Sequence, residues 1–204
     1  MTSLFGRPAA EPAGGLRERK KAKTKIAIQA HAVRLFREQG YAATTVEQVA
    51  EAAEVSPSTV FRYFPTKEDL VVTDDYDPIV FAAFQAQPPE LTLIQAWRAA
   101  LRESFEQMTE TDIRTQFDRG RLLLSVPELW GATLHDTQKT LEIITRLSAE
   151  RVGRSPDDPA LRATVGAIFG VMLTAALDWV RLDDPRVSEN LDDALRLLDE
   201  GPLR

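Results

Sequence analysis

The chain has 204 residues, 44% of them hydrophobic, and a formal net charge of −6, enough for one or two domains with a real core. It contains no cysteine, which excludes a disulfide framework and any Cys-ligated zinc or iron–sulfur centre, and suits a reducing cytoplasm. Charge is split along the chain: residues 1–67 carry 11 Lys/Arg against 6 Asp/Glu, and residues 68–204 carry 14 against 25, so an acidic protein has a basic front.

Residues 1–15, MTSLFGRPAAEPAGG, lack the apolar core of a secretory signal and read as a flexible arm outside the fold. LRERKKAKTK (16–25) follows with six cations and one acid, the kind of cluster that neutralises phosphates; Lys20, Lys21 and Lys25 are its candidate contacts. Ile28, Ala32, Leu35 and Phe36 then recur at helical spacing, and the helix is predicted to end near Gln39 with Gly40 as a left-handed cap. A second helix, about 45–53, starts from Thr44 or Thr45, with Glu47 three residues after Thr44 as a capping box requires. Ser56 before Pro57 restarts the chain, because Ser caps free amides and Pro at the first helical position loses no hydrogen bond. The third helix, about 57–64, is predicted to turn Val60, Phe61 and Phe64 inward and Ser58, Thr59, Arg62 and Tyr63 outward. Pro65 stops it, and Thr66 with Asp69 starts a further helix toward Asp75, which Asp77-Pro78 breaks.

Two short helices joined by a tight turn, the second presenting hydroxyls, an Arg and a Tyr, make a helix-turn-helix whose outer helix enters a major groove. Arg62 suits a base edge or a phosphate, and Thr59, Tyr63 and Lys67 suit backbone phosphates, as do Thr44 and Thr45 at a helix amino terminus. With Ser56, Pro57 and Ser58 these complete the candidate DNA-binding set. The stretch from Ile26 to Leu70, centred on ATTVEQVAEAAEVSPSTVFRYFPTKEDL, resembles the DNA-binding domain of the TetR family of one-component bacterial regulators. It departs from that family's usual form twice. Glu54 stands where the turn commonly has Gly, so a left-handed residue there costs roughly 1 kcal/mol. Phe61 stands where Tyr is frequent, removing one phosphate-bonding hydroxyl and marking Phe61 as core.

The acidic remainder shows no period-two alternation and is divided by prolines into helices of roughly 78–86, 91–108, 110–125, 127–154, 157–182 and 188–200. The expected fold is therefore all-α, with about nine to ten helices: an arm (1–15), a three-helix DNA-binding domain (16–67) and a larger ligand-binding and dimerisation domain (68–204). ATVGAIFGVMLTAAL (163–177) is too short to span a bilayer and reads as a helix buried on most sides, with Gly166 and Gly170 admitting a close neighbour. The resemblance implies that the last two helices pair across a homodimer, through Gly166, Gly170, Leu191, Leu195 and Leu198, and that the dimer reads an inverted-repeat operator in double-stranded DNA. It also implies a cavity for a small, apolar effector, with Trp97, Phe105, Phe117, Trp130 and Phe169 as candidate lining; each is also a candidate for plain packing. Arg119 and Arg121 flank Gly120, and either meets an anionic ligand group or pairs with Asp118 or solvent. RGRLLLSVPELW (119–130) resembles a subgroup that includes mycofactocin-type regulators, which are associated with acyl-CoA.

The two histidines, His31 and His135, have no ligand-spaced partners, and the sequence carries no phosphate-cradling Gly loop and no nucleophile elbow. No metal, cofactor, catalytic residue or membrane partner is therefore expected. The competing reading is a helical small-molecule carrier, possible ligand acyl-CoA, or an enzyme, whose basic front is incidental.

Overall fold

The computed structural model describes residues 16–74, 76–184 and 186–201, so the expected arm at 1–15 lies outside the described residues. Among these residues the protein is all-α: α1 (Leu16–Gln39), α2 (Val46–Ala52), α3 (Pro57–Tyr63), α4 (Asp69–Val72), α5 (Asp77–Ala86), α6 (Leu93–Glu106), α7 (Glu110–Ser125), α8 (Trp130–Val152), α9 (Pro159–Leu182) and α10 (Val187–Glu200). A single 3-10 turn at Pro127–Leu129 leads into α8.

Local chemistry sets most helix ends. Gly40 closes α1 at φ 90°, its N–H donating to the Phe36 carbonyl at 2.9 Å, a geometry that side chains resist. Ser56 caps α3 and Pro57 opens it. At the start of α2, Thr45 is the cap of the two candidates, and the capping box is formed with Gln48 in place of the expected Thr44–Glu47 pair: Gln48 N–H donates to Thr45 Oγ1 at 3.2 Å and Thr45 N–H to Gln48 Oε1 at 2.8 Å.

The front helices share one core: Ile28, Ala32, Val33 and Phe36 of α1, Val46, Val49 and Ala50 of α2, Val60 and Phe64 of α3, and Leu70, Val71 and Val72 of α4. Leu122 of α7 and Leu129 complete it, which fastens the head to the body. Each such Val, Leu, Ile or Phe side chain contributes about 1.5–3 kcal/mol by leaving water. Phe61, expected inside, is 46% exposed. Neighbouring helical residues point about 100° apart, so once Val60 and Phe64 occupy the inward stripe Phe61 is left on the flank.

The expected helix from Thr66 to Asp75 is interrupted. The reciprocal bonds that start it are present, from Thr66 N–H to Asp69 Oδ2 (2.9 Å) and from Asp69 N–H to Thr66 Oγ1 (3.2 Å), yet α4 stops at Val72. Its last carbonyls are taken by side chains: Thr73 O accepts the Gln29 amide at 2.7 Å, and Val71 O and Val72 O accept Arg119 Nη1 at 3.2 and 3.3 Å. A helix end satisfied in this way has no need of another turn.

The body packs around Phe84 and Trp97, whose rings stack at 4.0 Å, with Ile144, Leu147, Leu161, Val165, Ile168, Leu191 and Leu195. Trp97 is fully buried and donates through Nε1 to Ser148 Oγ at 3.0 Å. Leu191 and Leu195, expected in a dimer seam, point into this protomer core, and Leu198 packs against it. The correction follows from α10 being amphipathic: its apolar stripe is already covered by α6 and α9.

For α9 the outcome is reversed. The helix has 24 residues and is long and apolar enough to cross a bilayer by length and composition, yet only 17% of its most apolar window is buried. It packs against α7, α8 and α10 along one side and leaves Gly166, Gly170, Leu173 and Leu182 exposed. The expectation of burial on most sides does not hold within one protomer.

Candidate nucleic-acid interface and ligand chamber

The turn between α2 and α3 is short because Glu54 takes a left-handed conformation, φ 54°. Val55 N–H then returns to the Ala50 carbonyl at 2.9 Å. At the start of α3, Ser56 Oγ accepts Thr59 N–H at 3.2 Å and shares hydrogen bonds of 2.9 Å with Ser58 Oγ and Thr59 Oγ1. Ser56, Pro57, Ser58 and Arg62 are exposed, and Thr59 and Tyr63 are partly so. Arg62 lies 5.2 Å from the Tyr63 ring centroid, a contact that orients the guanidinium at the helix surface. Lys25 lies 5.4 Å from the Phe64 ring centroid, which sets the basic half of α1 beside the end of α3. Lys20 and Lys21 are exposed on the same helix. Amino termini, hydroxyls and cations are thus gathered on one head.

Two expected contacts are withdrawn or changed. Thr44 is 1% exposed, and its hydroxyl donates to Gly40 O at 2.9 Å and Leu35 O at 3.3 Å, so it buttresses the loop while the exposed Thr45 remains available. Lys67 is folded back: Nζ donates to Tyr41 O at 2.6 Å and lies 4.4 Å from the Tyr41 ring centroid, which pins the α1–α2 loop. Gln48 was missed, although a Gln three residues after Thr45 is as good a capping-box signal as the pair the sequence suggested.

A chamber of about 250 Å³ lies among α5, α6, α7, α9 and α10. Of the predicted lining residues it contains Phe105 alone. Trp97 is in the body core, Phe169 packs against the same core, and Trp130 is 62% exposed. Phe117 stands behind the wall with its ring centroid 5.6 Å from that of Trp179, and Arg121 is exposed over Phe117. The missed lining includes Met108, Met172, Trp179 and Val180. Gly120 allows α7 its approach to α9, since a Cβ there would meet Val180 Cγ2 at 2.6 Å.

One end of the chamber is polar, where Arg119 gathers Asp74 and Gln116 beside Asp77, and Tyr76 and Ser104 also line the chamber. Arg119 donates through Nε to Gln116 Oε1 at 2.8 Å and pairs through Nη2 with Asp74, besides holding the two α4 carbonyls. It does not pair with Asp118, which takes Arg37 at 2.8 Å and Arg114 at 3.6 Å instead. Asp77 accepts Thr140 Oγ1 at 3.1 Å. Burial, reinforced by the neighbouring Asp74 charge, pushes the Asp77 carboxyl up to about 7. No group of three His, Cys, Asp or Glu that could hold a metal ion occurs among the described residues.

A reading head on a helical body with an internal chamber is matched by two family models. Residues 28–72 match the bacterial regulatory proteins of the tetR family, and residues 91–202 match the MftR C-terminal domain. The chain belongs to the TetR family. It is accordingly a DNA-binding transcriptional regulator, with a helix-turn-helix head and a helical C-terminal domain. The HTH-type transcriptional regulator TcmR of Streptomyces glaucescens is 32% identical over 162 residues, 76% of this chain and 72% of that protein. The Mycobacterium tuberculosis protein that bears the name of mycofactocin biosynthesis transcriptional regulator MftR is 26% identical over 191 residues, 90% of this chain and 93% of that one. Among solved TetR-type folds, the fatty acid degradation regulator FadR from Bacillus halodurans superposes with a TM-score of 0.60 at 22% identity, covering 88% of this chain and 99% of that one. Thermus thermophilus FadR, solved in complex with lauroyl-CoA, gives 0.50 at 26% identity, covering 88% and 95%.

Proposed function

We propose that this TetR-family regulator is a cytoplasmic, homodimeric repressor that leaves an inverted-repeat operator when a small molecule occupies the chamber. One observation carries the reading: Arg119 lines the chamber and at the same time holds the carbonyl end of α4, the helix behind the reading head. A ligand that displaces or reorients Arg119 acts directly on α4, which shares a core with α3. Such coupling is typically about 1–3 kcal/mol, and it requires a ligand that prefers the non-binding state. The Thermus relative's complex with lauroyl-CoA supports a small-molecule role for a helical body of this kind.

In this reading α3 enters the major groove, with Ser58, Thr59 and Arg62 at base edges and nearby phosphates, and Lys20, Lys21, Lys25 and Thr45 on the backbone. A second copy covers the exposed side of α9, where Gly166 and Gly170 permit close approach and Leu173 and Leu182 supply apolar area. Two-fold pairing sets the reading helices about one DNA turn apart, roughly 34–36 Å.

A mobility shift on the promoter DNA beside the protein's own gene tests this. The expected result is a complex holding two protomers, lost in Arg62→Ala. No retardation even at low salt would leave a helical carrier or enzyme with an incidental basic front as the better account.

A further inference from the structure

The polar end of the chamber carries chemical information about its ligand. Gln116 is 8% exposed and lines the chamber. Its Oε1 accepts Arg119 Nε at 2.8 Å, which fixes the amide orientation, because the flipped form would set N–H against N–H. Gln116 Nε2 is then a buried donor with no partner. A buried donor without an acceptor is disfavoured, so this amide selects an acceptor on whatever fills the chamber.

Charge narrows the choice. Arg119 is the one cation among the lining residues, and its guanidinium is already engaged by Asp74, by Gln116 and by two α4 carbonyls. Asp74 and Asp77 both line the same end, so above about pH 7, where Asp77 is ionised, acids outnumber the cation there. A carboxylate or phosphate arriving at this end then meets like charge beside largely buried groups, where screening is weaker than in open solvent. Asp77 is suited to receive a donor, since the Thr140 hydroxyl occupies only one of its oxygens. The other wall, with Val80, Leu101, Phe105, Met172 and Trp179, is apolar.

We infer that the chamber selects an uncharged, mainly apolar ligand with a carbonyl-type acceptor for Gln116 Nε2 and a hydroxyl or N–H donor for Asp77, and rejects free carboxylates and acyl-CoA. The inference rests on the ligand-responsive reading above and names the class of molecule that reading leaves open. It separates this chain from the Thermus relative solved with lauroyl-CoA.

Isothermal titration of the full chain at about pH 8, where Asp77 is ionised, and without DNA, compares decanamide with decanoate and decanoyl-CoA. Decanamide is expected to bind at least tenfold tighter than either anion. Gln116→Met, which keeps length and removes the donor, lowers decanamide affinity at least tenfold. Asp77→Asn, which keeps shape and removes the charge, narrows the gap by admitting decanoate. Equal or tighter binding of either anion by the unaltered protein overturns the inference, as does decanamide binding that Gln116→Met leaves unchanged, which would mean that the amide meets only water. Failure of all three probes to bind overturns it too. A mobility shift that decanamide leaves unaffected, with the titration as expected, would instead sink operator release and keep the ligand class.

Discussion

Arg119 of α7 and Asp74 of the link between α4 and α5, 45 positions apart, form an ion pair where the reading head meets the chamber. Only 12% of the Arg119 side chain is exposed, and the pair is extended by the Val71 and Val72 carbonyls. Truncating Arg119 leaves a carboxylate and two helix-end carbonyls without their partner. Arg119→Ala is expected to lower the unfolding free energy by about 3 kcal/mol in urea titrations. Arg119→Lys keeps the charge but loses the fork that reaches Asp74, Gln116 and two α4 carbonyls at once, so it is expected to fold while its operator affinity no longer responds to ligand.

Arg62 is exposed and, among the described residues, makes no ion pair or hydrogen bond, only its contact with the Tyr63 ring. Arg62→Ala is therefore expected to leave the unfolding midpoint nearly unchanged while weakening operator binding by about 1–3 kcal/mol. Fluorescence anisotropy at several salt concentrations distinguishes its contacts: a base contact relaxes sequence preference, whereas a phosphate contact reduces the salt slope by about one.

Glu54 holds φ 54° in the turn, and its side chain is exposed. Glu54→Gly is expected to raise stability by about 1 kcal/mol in chemical denaturation, because the left-handed strain disappears. Removing an acid beside the reading helix also strengthens binding to non-specific DNA, most visibly at low salt.

Asp77 gives stability a pH dependence. Its folded carboxyl titrates at about 7, above the ordinary 3.8, with burial as the first cause and the Asp74 charge as the second. Below the ordinary value both states are protonated and no penalty exists. As pH rises toward 7 the unfolded state loses its proton first, so the group progressively destabilises the fold, and the penalty is complete above 7. The thermal midpoint of Asp77→Asn minus that of the unaltered protein is expected to be near zero at about pH 4 and to become increasingly positive up to about pH 7. A difference that shrinks over that interval would contradict the assignment.

The reading head was legible because its signals are short in range. Ser56-Pro57, Gly40 and the spacing of Val60 and Phe64 act within a turn or two of chain, and the helices observed for the body begin and end close to where its prolines suggested. Sequence was less able to choose between equivalents a residue apart. Thr44 and Thr45 both have the chemistry of a cap, and burial of the Thr44 hydroxyl against Leu35 and Gly40 decides between them. The lining of the chamber was mostly hidden, for Trp97, Phe117 and Phe169 are as apolar as Phe105, and only the rotation of each helix about its axis determines which of them meets space.

From its residues alone this protein is bound to be a cysteine-free helical chain with a basic, hydroxyl-rich reading helix, since helix caps, periodicity and charge are properties of neighbours in sequence. Tertiary structure decided that α10 turns Leu191 and Leu195 inward while α9 keeps an apolar side exposed, and that Arg119 reaches Asp74 and the end of α4. Those outcomes depend on which helix faces compete for a finite core, and on contacts closed across dozens of residues, where no local rule operates.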